Sequence, residues 1–174
     1  MKLCVGIYMG SDNELPLIEW KKDEELPICV RRLSCGNDDD DFAERQLTKK
    51  YKYYVGAWQG CGCNFRFDFV EADKFMNEMS EQEKQELEMA CNGSIDDIVY
   101  GHSKKGKRSV EALFDYICAN VEGGECELLH FGSGCNRIER HDVIDLKSFV
   151  LGDTFKFPER QYITVYKQSA IENI

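Results

Sequence analysis

An α+β domain, with a mixed, mainly antiparallel sheet and helices packed chiefly on one face, follows from three features of the chain. Several short segments alternate apolar and polar residues, the period of a half-buried strand. Two of them flank a glycine-rich pentapeptide that reads as a tight turn, and a hairpin cannot belong to an all-parallel sheet. Residues 110–121 repeat apolar residues at the period of a helix, and only a sheet is broad enough to cover that face. At 174 residues the chain holds one core, so residues 1–174 are read as a single domain.

Leu3, Val5, Ile7 and Met9 alternate with Cys4, Gly6 and Tyr8, which makes an N-terminal strand. The run is too short for a signal peptide and meets Asp12 and Glu14 without a small-residue cleavage site, so an unprocessed start is expected. Residues 28–33 make a second strand. Asp40 or Asp41 is placed to cap a short helix from Phe42 to Thr48. Residues 51–58 are rich in aromatics. In residues 64–70, Phe65, Phe67 and Phe69 share one face while Asn64, Arg66 and Asp68 take the other. Gln59-Gly60-Cys61-Gly62-Cys63 joins these two segments. With Gly60 and Gly62 at positive φ, Tyr51 to Val70 is expected to form one β-hairpin.

Phe75, Met76 and Met79 suggest a short helix. Ser80 and Glu83 form a capping box for a helix from Glu81 to Cys91, closed by Asn92-Gly93. Val110, Leu113, Phe114, Ile117, Cys118 and Val121 lie on one helical stripe that Gly123-Gly124 ends. Burying that stripe contributes on the order of 10 kcal/mol before conformational entropy is set against it. Strands follow at residues 126–131 and 161–166, with a single turn at residues 145–150 between them.

The chain carries 22 Lys+Arg against 32 Asp+Glu, a net charge of −10. That balance argues against nucleic-acid binding, which needs clustered positive charge, and suits a basic protein partner. Residues 71–97 hold nine acids and two lysines, a net −7. The basic run Lys104 to Arg108 follows and reads as a loop lying against this acidic helical region. No apolar run approaches the roughly 18 residues that span a bilayer, so no membrane association and a cytoplasmic location are expected. Nine cysteines at scattered spacings do not form a secreted disulfide framework. Cys4, Cys91, Cys118 and Cys126 sit in apolar-patterned segments and are read as core residues.

Chemistry concentrates at Cys61-Gly62-Cys63. Backbone N–H groups in a glycine-rich turn can stabilise a thiolate, so Cys61 and Cys63 are candidates for a soft-metal site or a redox dithiol. A structural zinc site shows two C-x₂₋₄-C pairs, and here there is one C-x-C pair. Cys35, Cys135, His102 and His130 are the residues that could complete a shell. The competing reading is a plain structural turn packed on Trp58 and Phe65. Trp58, Cys61 and Cys63 together are the candidate ligand-binding residues, on the edge of an aromatic recess. His130 and Cys135 could be base and nucleophile, but no third orienting group can be named. Asn37 to Asp41 lacks the glycine and distal glutamate of a calcium loop and reads as a solvated helix-capping segment. No phosphate loop, nucleophile elbow, zinc-protease helix or dinucleotide fingerprint occurs. No catalytic residue is assigned and no cofactor is named.

Tyr53-Tyr54-Val55-Gly56, followed by Gly60-Cys61-Gly62-Cys63-Asn64-Phe65, resembles a group of short uncharacterised bacterial proteins. The resemblance extends to Cys4-Val5-Gly6-Ile7-Tyr8 and to Phe155-Lys156-Phe157 with Gln161 to Val165. It implies a bacterial, intracellular, single-domain protein and supplies no activity. Asn64 stands where that group often carries Gly. The leading expectation is a non-catalytic intracellular protein that binds a protein partner or a small ligand. The alternative is a thiol redox or soft-metal site at the Cys61-Gly62-Cys63 turn.

Overall fold

A computed structural model describes residues 5–121, 124–132, 134–135, 137–138, 140–146, 150–157 and 161–166. The strands are β1 (Val5–Ser11), β2 (Ile28–Arg32), β3 (Tyr51–Ala57), β4 (Arg66–Asp68), β5 (Glu125–Gly132), β6 (Arg140–Asp145), β7 (Thr154–Lys156) and β8 (Gln161–Tyr166). The helices are α1 (Asp38–Gln46), α2 (Phe69–Glu78), α3 (Glu81–Cys91) and α4 (Ile95–Asn120). Six strands form the main sheet in the order β2-β3-β1-β5-β8-β6, and β4 pairs with β7 in a separate two-stranded sheet. Every pairing is antiparallel except β6 with β8. The architecture is the expected α+β fold.

Strand alternation sorts the core into two layers. Ile7, Met9, Val55, Leu128 and Ile163 face α4, which presents Val110, Leu113 and Ile117 to them. Tyr8, Leu129, Phe131 and Tyr162 point the other way, toward Ala43 of α1 and Leu47, the residue that ends it. Helices α2 and α3 pack against α4, so among the described residues α1 is the one helix on the opposite side of the sheet. Asn37 caps α1 by accepting from the Asp39 and Asp40 amides, so the acidic run forms the first helical turn itself. That corrects the expected capping by Asp40 or Asp41. Asp38, Asp39 and Asp41 gain instead from the positive end of the helix. The Ser80–Glu83 capping box of α3 forms as expected, and Asn92 closes that helix at φ 51°.

Three expectations give way. Helix α4 begins at Ile95, well ahead of residue 110, and runs through the basic segment expected to be a loop. Ser94 caps it by accepting from the Asp97 amide, and Lys104 and Lys105 reach Asp96 and Glu25 at 2.6 and 2.9 Å. The expected hairpin from Tyr51 to Val70 does not form: β3 and β4 lie in different sheets, and Cys61 precedes while Cys63 lies within a short 3₁₀ turn, Gly62–Asn64. Gly62 rests on the β1 backbone, where a Cβ would come within 2.7 Å of the Ile7 nitrogen and the Val5 oxygen. The turn therefore carries the chain across β1 and cannot return it beside β3. Gly60 does take positive φ, at 71°, whereas Gly62 is required for this close approach. Finally, Phe65 and Phe67 are buried, but Phe69 opens α2 because the Asp68 carboxylate caps that helix.

Cys126 is in the core, as expected, whereas Cys91 is exposed and Cys118 half-buried; Cys4 lies outside the described residues. Cys29, in β2, is buried in its place. Residues 140–145, ahead of the expected turn, form edge strand β6; residues 147–149 of that turn lie outside the described residues. Among the described residues no helix is long and apolar enough to cross a membrane.

Candidate ligand groove

A concavity of about 860 Å³ opens between the β4–β7 ribbon, α2 and α4. That volume lies within the usual range for small-molecule sites. Each wall is fixed by local chemistry. Asp68 ends β4 and starts α2 by accepting from the Glu71 amide at 2.8 Å. Ser103 of α4 bonds both backbone groups of Asp68, accepting from its N–H at 3.2 Å and donating to its C=O at 3.3 Å. The Phe69 amide donates to the Asp153 carbonyl at 2.9 Å, and the Tyr100 hydroxyl ties α4 to Asp73 of α2 at 2.8 Å.

Arg66 and Lys156 face each other directly across the ribbon, and Asp68 faces Thr154. Phe67 and Phe155 are likewise opposed, with their rings stacked 6.1 Å apart. Phe75 of α2 enters the groove 50% exposed, high for a phenylalanine. His102 of α4 lines the far side, its ring centroid 6.0 Å from that of Trp58 and the two rings steeply inclined at 75°. Partial burial of the imidazole, and then the charge on Arg66, hold its pKa below 6.5.

The residues singled out from sequence are not gathered here. Trp58 sits behind His102, with Lys105 Nζ 4.8 Å over its ring and its amide donating to Ser109 Oγ at 3.2 Å. Its indole N–H is buried without an acceptor among the described residues. Cys61 and Cys63 are half-buried, and neither lines the groove. Their turn is pinned from below by Tyr54, whose hydroxyl donates to the Gly60 carbonyl at 2.9 Å and accepts from the Gly62 amide at 3.2 Å. Among the described residues no three His, Cys, Asp or Glu side chains come together as a metal shell, so the proposed completion by Cys35, Cys135, His102 or His130 does not occur there. His130 is buried on the α4 side of the sheet, 5.9 Å from the Phe157 ring, while Cys135 packs with the α1-side cluster. The sheet separates that pair of supposed base and nucleophile.

A buried polar cluster went unread in the sequence. Glu127 in β5 is 2% exposed and accepts from the Thr48 amide at 2.8 Å, the Lys49 amide at 3.2 Å and the Thr48 hydroxyl. The Tyr162 phenol also bonds it, and burial together with that carboxylate raises the phenol pKa. A carboxylate so enclosed and bonded fastens the chain just after α1 to the sheet.

The groove residues carried faint signals. Thr154-Phe155-Lys156-Phe157 does alternate, but three residues make too short a strand to stand out beside β8. No protein-family model matches this chain, and neither a curated protein nor a solved structure does.

Proposed function

We propose that this protein is a non-catalytic binding protein for a small ligand, held in the groove between the β4–β7 ribbon, α2 and α4. One observation carries the reading: Phe75 stands half exposed in a cavity of ligand size that already contains charged and hydroxyl groups. Binding sites combine an apolar surface with a few fixed polar groups, and this groove has both. Trp58 then acts from behind as support for His102, and the thiols of Cys61 and Cys63 belong to a turn outside the groove. The nearest assembly resembling an activated nucleophile, Thr48 with Glu127, lies in the core and supports a structural role.

The test is a fragment screen by nuclear magnetic resonance on ¹⁵N-labelled protein. Hits are expected to shift amides of residues 66–75, 99–103 and 154–156 and to be recovered chemically unchanged. Hits that cluster elsewhere, or conversion of a fragment to product, would overturn the reading.

A further inference from the structure

The charges of the groove are segregated by sign along its floor. Arg66 faces Lys156 across the ribbon, and two residues further along β4 Asp68 faces Thr154. Residues i and i+2 of a strand share a face, so Arg66 and Asp68 look the same way from positions about 7 Å apart. Glu71, in the first turn of α2, adds a second carboxylate at the Asp68 end. The Asp68 carboxylate accepts from the Glu71 amide at 2.8 Å, which fixes the start of α2 against the ribbon. Neither Arg66 nor Glu71 forms an ion pair among the described residues. Phe75 stands four residues beyond Glu71, on the same face of α2, half exposed in the groove. The backbone thus sets out a positive end, a negative end and an apolar shelf.

We propose that the groove binds zwitterionic dipeptides: Arg66 takes the terminal carboxylate, Glu71 with Asp68 takes the terminal ammonium, and Phe75 packs on an apolar side chain of the amino-terminal residue. This rests on the groove being a binding site and adds the chemistry of its occupant. An extended dipeptide spans about 7 Å, which matches the step from Arg66 to Asp68. An arginine fork meets a carboxylate two oxygens at a time. An ammonium group has three donors and no acceptor, so carboxylates are its natural partners. The apolar side chain belongs to the amino-terminal residue because Phe75 lies one helical turn from Glu71. The two charges of a zwitterion cancel at a distance, so the chain's net −10 does not repel it as it would a simple anion.

The experiment titrates ¹⁵N-labelled protein near pH 7, where a peptide carries both terminal charges. The probes are phenylalanyl-glycine, its N-acetyl form, its C-terminal amide, glycyl-glycine and phenylalanyl-triglycine. Phenylalanyl-glycine should shift amides of residues 66–75, 99–103 and 154–156. It should bind about 10-fold or more tightly than either capped form, since each cap removes one charge-assisted contact. Arg66→Gln should weaken phenylalanyl-glycine and the N-acetyl form but not the amide. Glu71→Gln should weaken phenylalanyl-glycine and the amide but not the N-acetyl form. Both positions are exposed, and the spectra of the variants check the fold. Capped forms that bind in the groove as tightly as the free dipeptide, or variants that weaken all three alike, overturn the zwitterion and leave the groove a binding site. Glycyl-glycine binding as tightly as phenylalanyl-glycine overturns the part given to Phe75, and equal binding of phenylalanyl-triglycine overturns the length. If no peptide moves these amides, the proposal fails; the groove reading stands when the fragment screen returns hits there and falls with it when it does not.

Discussion

Gly106 of α4 and Arg66 of β4 meet backbone to backbone: a Cβ at position 106 would lie 2.0 Å from the Arg66 carbonyl oxygen. The groove keeps its shape because this helix and this strand approach so closely. Gly106→Ala therefore sets two effects against each other. Alanine favours a helix interior by about 1 kcal/mol, but the methyl group must push β4 away, and overpacking of that kind costs about 1–3 kcal/mol. The clash wins, because its partner is a backbone atom that no rotamer change can move. Urea unfolding should show a net loss of stability and a shift of the Arg66 and Phe67 amides. Gly101 lies in the same helix with nothing within 4 Å of its would-be Cβ, so Gly101→Ala should raise stability by about 0.5–1 kcal/mol.

This contact also explains what the sequence made legible and what it did not. Periodicity located β1, β8 and the apolar half of α4, because each buries a regular stripe, whereas α3, which buries no residue, was marked by its Ser80–Glu83 capping box. It missed the first half of α4, where Gly101, Gly106 and the run Lys104 to Arg108 carry no such stripe. That half is held by Ser94, by lysines reaching Asp96 and Glu25, and by packing on β4. The hairpin error has the same origin. Alternation in residues 64–70 marked a strand of which only Arg66–Asp68 forms, and it said nothing about which neighbour that strand pairs with. The partner, β7, lies more than eighty residues away. A groove built from long-range pairings is invisible to local pattern, whereas the Cys61-Gly62-Cys63 turn is conspicuous because its signal is wholly local.

Asp40, 1% exposed, is held by Arg31 through two bonds of 2.7 and 3.2 Å and by the Ser34 amide at 2.7 Å. The Arg31 guanidinium also lies 4.4 Å over the Tyr54 ring, the ring whose hydroxyl pins the cysteine turn. Asp40→Ala leaves the Ser34 amide without its acceptor and releases Arg31. Because the arginine is partly solvated, the loss should be smaller than for a fully buried pair, about 2–3 kcal/mol. Chemical denaturation measures it. The double change Asp40→Ala with Arg31→Ala should cost less than the sum of the two single changes.

His102 gives the groove a pH response with a definite sign. Its folded pKa is held below 6.5 by partial burial and then by Arg66, so the unfolded chain takes up the proton first on acidification. Stability is complete above 6.5 and declines as pH falls from there through the folded pKa. Comparing urea midpoints at several pH values for the wild type and His102→Gln should show that part of the acid loss disappears in the variant. Titration of the His102 ring by nuclear magnetic resonance should show Arg66→Gln raising its pKa only partway toward 6.5, since burial is the larger cause.

The cysteines should divide by reactivity along lines that periodicity alone did not draw. Burial raises the Cys126 thiol to about 12 and also raises Cys29, and both are enclosed by the sheet. A thiol attacks only as its thiolate, so neither should react with iodoacetamide near pH 8 while the fold is intact. Cys35 and Cys91 are exposed and should be modified first. Cys61 and Cys63, half-buried beside a turn that Tyr54 holds closed, should follow more slowly. Peptide mapping over a time course gives the order. Rapid labelling at Cys61 and Cys63, ahead of Cys35 and Cys91, would mean that the turn activates its thiols, and the redox role suggested by their spacing would then take precedence over a structural one.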